Sequence, residues 1–271
     1  MELKGHKAEG KLHGKGPNHG ADAHEQEDDR HCGGRRMPRL GGGLGTYAWL
    51  TSTGKLTNNF TTAGINQPTT DPDNPNNPIP TDKNKVNGNL TETKWENNSK
   101  LAPGTSVPKN PNVGLGKGSE NAYVFVAVTN KTASATAPTD NTHTTYFTLE
   151  NGWLPVPMSQ DSDGAQSPIS VTVDTNTHYI GGLFMYVGGD NAQAVNPVAL
   201  AADANKDVWT GELFKQVTTP ATTASSDFAA SPSIDVNYYI SAADDQNGDY
   251  GTAEKALEAA KAWYKGINAA A

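Results

Sequence analysis

The chain predicts an all-β domain, a jelly-roll-like two-sheet β-sandwich with one C-terminal helix packed on it. Three observations carry this expectation. Clusters of Thr, Asn, Gly and Pro interrupt the chain at short intervals, as turns between short strands do. The run Tyr123-Val-Phe-Val-Ala-Val128 is apolar throughout, rich in β-branched and aromatic residues, and bounded by turn signals, which predicts a central strand buried on both faces. Ile234, Val236, Tyr238 and Ile240 alternate with Asp235, Asn237, Tyr239 and Ser241, the period of a strand with one face inward.

Length and charge bound the rest. With 271 residues and 35% hydrophobic content, the chain suits one globular domain of roughly 180 to 220 residues, or two small ones, with polar flanks. A net charge of −8 argues against a nucleic-acid backbone as partner, which needs clustered Lys and Arg. No stretch approaches twenty apolar residues, so no membrane span is expected in the mature form. The single cysteine, Cys32, excludes an intrachain disulfide.

Residues 1–43 differ in composition from the remainder of the chain. All four arginines and five of the seven histidines fall before Gly41. One reading is a disordered, mixed-charge tail. The preferred one is a stretch translated in another frame, the true frame resuming near Gly41-Gly42-Gly43. Its histidines and Cys32 lack the fixed short spacings of a zinc site. Residues 44–48 then read as the end of a signal peptide. Thr46 and Ala48 are the small residues a signal peptidase accepts, which places cleavage between Ala48 and Trp49.

The mature segment 49–65 is extended in character and leads to a loop over 66–84. That loop holds Pro68, Pro72, Pro75, Pro78 and Pro80 among Asn, Asp and Thr, and is no interior strand. Asp71, Asp73, Asn74 and Asn77 lack the Gly and bidentate Glu of an EF-hand, so a solvated loop is preferred over a calcium site. The β-sandwich is expected over 85–266. Leu90 to Trp95 reads as a half-buried strand and Leu101-Ala-Pro-Gly104 as a turn. Thr144 to Trp153 gives a further strand pair or strand-turn, and Asp161-Ser-Asp-Gly164 a turn. Ile169, Val171 and Val173 alternate, and the Gly181-Gly182 pair within His178 to Val187 suggests a hairpin or bulge. Leu213, Phe214 and Val217 mark another short strand. A helix is expected over 252–265, capped by Thr252, with Glu254 in its first turn and Lys261 and Lys265 in its last before Gly266. Asn89, Asn97 and Asn130 begin N-glycosylation acceptor patterns.

The order of these pieces carries a resemblance. GTYAWLTSTGKLTNNFTTAGI, LTETKW, LAPGTSVPKNPNVGLGKGSENAYVFVAV, HYIGGLFMY, ELFKQVTTP, SIDVNYYISAADDQ and AEKALEAAKAWYKG together resemble the TasA/camelysin family over about residues 44 to 266. The missing leader, the 66–84 insertion and the enlarged stretch from Gly188 to Trp209 depart from it. The resemblance implies a secreted jelly-roll subunit of extracellular biofilm-matrix fibres, released by a dedicated signal peptidase of the SipW type. It also implies homo-polymeric filaments in which the freed N-terminal segment adds as a strand to the next subunit. The donor here is about Trp49 to Phe60, with Trp49, Leu50, Leu56 and Phe60 as apolar anchors. Other matrix proteins are further partners on this reading, and no cofactor is expected. Two alternatives remain: a monomeric surface adhesin, and a metallopeptidase as relatives have been classed. The second needs clustered zinc ligands and a base, and beyond Gly41 only His143 and His178 remain, neither in an HExxH pattern.

Overall fold

The computed structural model describes residues 48–49, 60–61, 64–82, 85–96, 99–137, 143–159, 165–189, 191–243 and 251–269, with 48–49, 60–61 and 269 described by backbone alone. Contacts within the chain separate Met1–Gly43 from Leu44–Ala271, and every described residue belongs to the second unit. The expected turn at 161–164 lies outside the described residues.

The described strands are β1 (Ala48–Trp49), β2 (Phe60–Thr61), β3 (Val86–Asn87), β4 (Leu90–Thr91), β5 (Lys100–Leu101), β6 (Ser106–Pro108), β7 (Asn112–Leu115), β8 (Ala122–Ala133), β9 (Trp153–Pro155), β10 (Ile169–Val173), β11 (Asn176–Tyr186), β12 (Val208–Glu212), β13 (Gln216–Thr218) and β14 (Phe228–Ala242), followed by α1 (Ala253–Ala269). Six strands form the central sheet in the order β10-β11-β8-β14-β2, with β9 pairing on β11. A second sheet runs β12-β7-β4-β3, and β13-β6 and β1-β5 are two-stranded ladders. The result is the expected all-β sandwich with a C-terminal helix.

Strand β8 shows why the layers stack as they do. With a side-chain period of two, Val124, Val126 and Val128 face the second sheet and join Leu90, Trp95, Val113, Leu115, Phe184, Tyr238 and Ile240 in the larger core. Phe125 and Ala127 face the other way, where Leu183, Met185 and Val187 meet Ala256, Ala260 and Tyr264 of α1. The central sheet is therefore buried on both faces. Ala256 and Ala260 are four residues apart on one helix face and small enough for close approach. One turn on, the Tyr264 hydroxyl donates to the Gln166 carbonyl at 2.9 Å.

Two turns carry specific backbone demands. Strands β3 and β4 are joined by the two-residue loop Gly88-Asn89, and Gly88 takes φ +61°, as the first position of such a hairpin requires. A Cβ there would also lie 2.3 Å from the Tyr238 hydroxyl. On β11 the glycine pair sits at a bulge: Gly181 pairs with Ile169 but Tyr179 with Ser170, so Ile180 is extra. Only Val171 of the alternating β10 residues is fully buried, and Ile169 is 40% exposed.

Three expectations are corrected. The helix does not stop at Gly266 but runs to Ala269. Ile267 packs into the helix-side core, and the Asn268 amide donates to the Tyr264 carbonyl at 2.9 Å, so the last turn is held and Lys261 and Lys265 are interior. At the other end the cap is as expected, with Thr252 Oγ1 accepting from the Lys255 amide at 3.3 Å. The run from Leu90 to Trp95 is a strand for only two residues. It then turns, the Trp95 amide bonding the Glu92 carbonyl at 3.1 Å, and Trp95 enters the core fully buried. The short strand near Leu213 starts later, at Gln216, with Leu213 and Phe214 packed in the core ahead of it. Among the described residues no helix is long and apolar enough to cross a membrane.

Replacing Gly88 by alanine is expected to cost about 1–3 kcal/mol, the usual cost of a strained backbone position. Urea denaturation of the two proteins measures it. Equal midpoints would contradict the turn geometry.

Candidate assembly interface

Strand β14 spends one edge on β8, in register from Ala242 opposite Ala122 to Ser233 opposite Lys131. Its other edge carries only β2 among the described residues: Phe60 and Thr61 lie parallel to Tyr239 and Ile240. Among the described residues this pairing covers two positions of a strand of fifteen. Strand β1 pairs with β5, Ala48 opposite Leu101 and Trp49 opposite Lys100, in an antiparallel ladder, and also lies close to β14.

The residues expected to form the donor are thus placed in part. Trp49 and Phe60 are laid, by their backbones, on strands of their own chain. Leu50 and Leu56 lie outside the described residues. The bond expected to be cleaved, between Ala48 and Trp49, falls inside β1.

The segment has a fixed root just after β2. Gly64, at φ +87°, accepts the Glu120 amide at 3.0 Å. Asn66 is held on four sides: its amide donates to Ser119 Oγ at 2.9 Å, its side chain to the Lys117 carbonyl at 3.0 Å, and its carbonyl accepts from the Gly116 amide at 2.9 Å and from Asn89 Nδ2 at 2.9 Å. A Cβ on Gly116 would lie 2.3 Å from the Gln67 carbonyl oxygen, so the root lies directly against the turn after β7. Asn89 ties this corner to both sheets. Its second side-chain bond goes to the Gly114 carbonyl at 2.7 Å, and its own amide donates to the Tyr238 hydroxyl at 3.1 Å. Burial pushes the Tyr238 phenol above its usual value, against the opposing pull of that amide.

Asp207 secures the next stretch. Its Oδ2 accepts the Thr69 amide at 2.7 Å, the Thr70 amide at 2.8 Å and Thr70 Oγ1 at 2.8 Å. Its Oδ1 accepts the Lys117 amide at 2.9 Å. Partial burial pushes the Asp207 carboxyl up, but the donors from Thr69, Thr70 and Lys117 together outweigh it and hold the group below the usual carboxylate value. The proline-rich loop is therefore a pinned surface loop. Within it Asp71 Oδ1 accepts the Asp73 amide at 2.8 Å and Asp73 Oδ2 accepts Thr93 Oγ1 at 2.5 Å.

His178 lies on β11 with Nδ1 at 2.8 Å from Thr148 Oγ1 and its ring 4.8 Å from that of Tyr146. The His143 carbonyl accepts from Thr223 Oγ1 at 3.2 Å. Among the described residues no three of His, Cys, Asp or Glu are grouped to hold a metal ion. Of the glycosylation patterns, Asn97 lies outside the described residues. Asn89 is 1% exposed with its side-chain amide engaged, and Asn130 donates to the Thr145 carbonyl at 2.8 Å. The roles of Asn66, Asn89 and Asp207 were not read from the sequence. Asn89 carried only a glycosylation pattern, and Asp207 lay in a stretch noted only for its length.

No protein-family model, curated protein or solved structure matches the chain. Fold and edge together define a helix-backed β-sandwich whose central sheet takes the chain's own N-terminal segment as an edge strand.

Because the folded Asp207 carboxyl titrates below its unfolded value, the stabilisation it gives is present above the unfolded value and lost as pH falls through the folded one. Hydrogen exchange at the Thr69 and Thr70 amides reads this. Asp207→Asn is expected to speed exchange there at neutral pH, and acidification of the wild type to produce the same rise. Unchanged protection in Asp207→Asn would remove Asp207 as the pin.

Proposed function

We propose that the protein is a structural subunit of extracellular fibres, in which residues Trp49 to Phe60, freed by cleavage after Ala48, leave their own sheet and pair with strand β14 of a neighbouring copy. The observation that carries this reading is the pairing of β2 on the edge of β14. The segment already uses that edge within one chain, with Phe60 and Thr61 parallel to Tyr239 and Ile240. Its root at Gly64 to Thr70 is bonded independently of the segment, so exchange leaves the sandwich intact.

Reach and direction agree with the reading. Twelve residues, from Trp49 to Phe60, span at most about 40 Å when extended, enough to follow most of β14. Main-chain hydrogen bonds supply the directionality and the apolar residues supply the anchors, as in strand addition generally. A head-to-tail contact of this kind is heterologous and does not close, so it propagates as a filament. The resemblance to the TasA/camelysin family supports the same mode, secretion included.

Electron microscopy of protein beginning at Trp49, against protein beginning at Ile65, tests the proposal. Fibres are expected only from the longer form, with both forms folded by circular dichroism. Fibres from both would overturn the role of the segment. A longer form that stays monomeric at every concentration would favour a monomeric surface module.

A further inference from the structure

We propose that Lys109 and Glu92 condense into an intramolecular amide, an isopeptide cross-link between the end of β4 and the end of β6. The two side chains meet at 2.7 Å, Nζ to Oε2, and both are buried, at 3% and 8% side-chain exposure. On its other side the Lys109 ammonium lies 4.9 Å from the centre of the Trp95 ring, itself fully buried. Water is thus kept from the amine by an aromatic face and from the carboxylate by the core.

As an ion pair this arrangement is poorly satisfied. A buried pair repays its desolvation only when its remaining lone pairs and protons are also bonded. Here Glu92 Oε1 is buried with no hydrogen-bond partner, and so are Thr91 Oγ1 and Trp95 Nε1. An amide carries no charge and has one oxygen fewer to satisfy. Thr91 and Trp95 lie within three residues of Glu92 in sequence, and each has a buried donor without a partner among the described residues.

The step balances without a co-reactant. One proton passes from the Lys109 ammonium to the Glu92 carboxylate, leaving an amine and a carboxylic acid. The Nζ lone pair attacks Cδ and the C–N bond forms. The second nitrogen proton moves to the departing oxygen, the C–O bond breaks, and one water leaves. Nothing is oxidised or reduced. Holding the reacting groups at contact supplies the proximity such a step needs. The product closes a loop from residue 92 to residue 109 and ties the second sheet, at β4, to the β13-β6 ladder in a chain whose single cysteine permits no intrachain disulfide.

Intact-mass spectrometry of the folded full chain, followed by trypsin digestion, tests it. The wild type is expected one water lighter than its sequence. Its digest should hold a branched peptide joining Glu92 to Lys109, with the bond after Lys109 uncut. Lys109→Arg should have its full calculated mass. A wild-type chain at full mass and cut after Lys109 overturns the proposal. So does a missing water that maps to any other pair of residues. Both of these outcomes are read on the wild type, so misfolding of the variant would not rescue the idea.

Discussion

From Val124 to Val128 strand β8 has no face for water, and the rest of the architecture derives from that. Its odd-numbered apolar positions need a cover on one side and its even-numbered ones on the other, so the central sheet becomes the middle of three layers. The second sheet supplies one cover and α1 the other. With both faces of β8 covered at its centre, the sheet can be extended only at its edges. At β14 the chain places its N-terminal segment on such an edge, at Tyr239 and Ile240.

That placement gives the segment two separable parts. From Gly64 to Thr70 it is held by Asn66, Asn89 and Asp207 through bonds that do not involve β2. Before Gly64, the described contacts are backbone ladders of two residues each. A short ladder is cheap to exchange for an equal or longer one on a second copy, because the bonds broken and made are of the same kind.

Strong local patterns were legible in the sequence. The run Tyr123 to Val128, the alternation at Ile234 to Ile240 and the glycine pair of β11 each produced the expected structure, because their signals are periodic or depend on one residue's torsions. The helix start was legible from Thr252, but its end was not. Gly266 argued for a stop, and the burial of Ile267 outweighed it. Trp95 looked like a strand residue, whereas the turn after Thr91 carries it into the core. The polar ties were invisible for a common reason. Asn89 meets Tyr238, and Asp207 meets Thr69 and Thr70, across more than a hundred residues of chain, and no local pattern records such a meeting. Likewise Glu92 sits in a segment that read as a half-buried strand, and Lys109 lies seventeen residues on, with no local pattern to join them.

The account rests on one backbone ladder existing in two forms, within a chain and between chains. Disulfide trapping in protein beginning at Trp49, which lacks Cys32, distinguishes them directly. One batch carries Phe60→Cys and another Tyr239→Cys, and the two are mixed, assembled and oxidised. Covalent dimers containing one of each chain are predicted, since in the assembled form Phe60 of one copy lies beside Tyr239 of the next. Assembled fibres that yield no such mixed dimers, while a chain carrying both cysteines closes only on itself, would contradict the account.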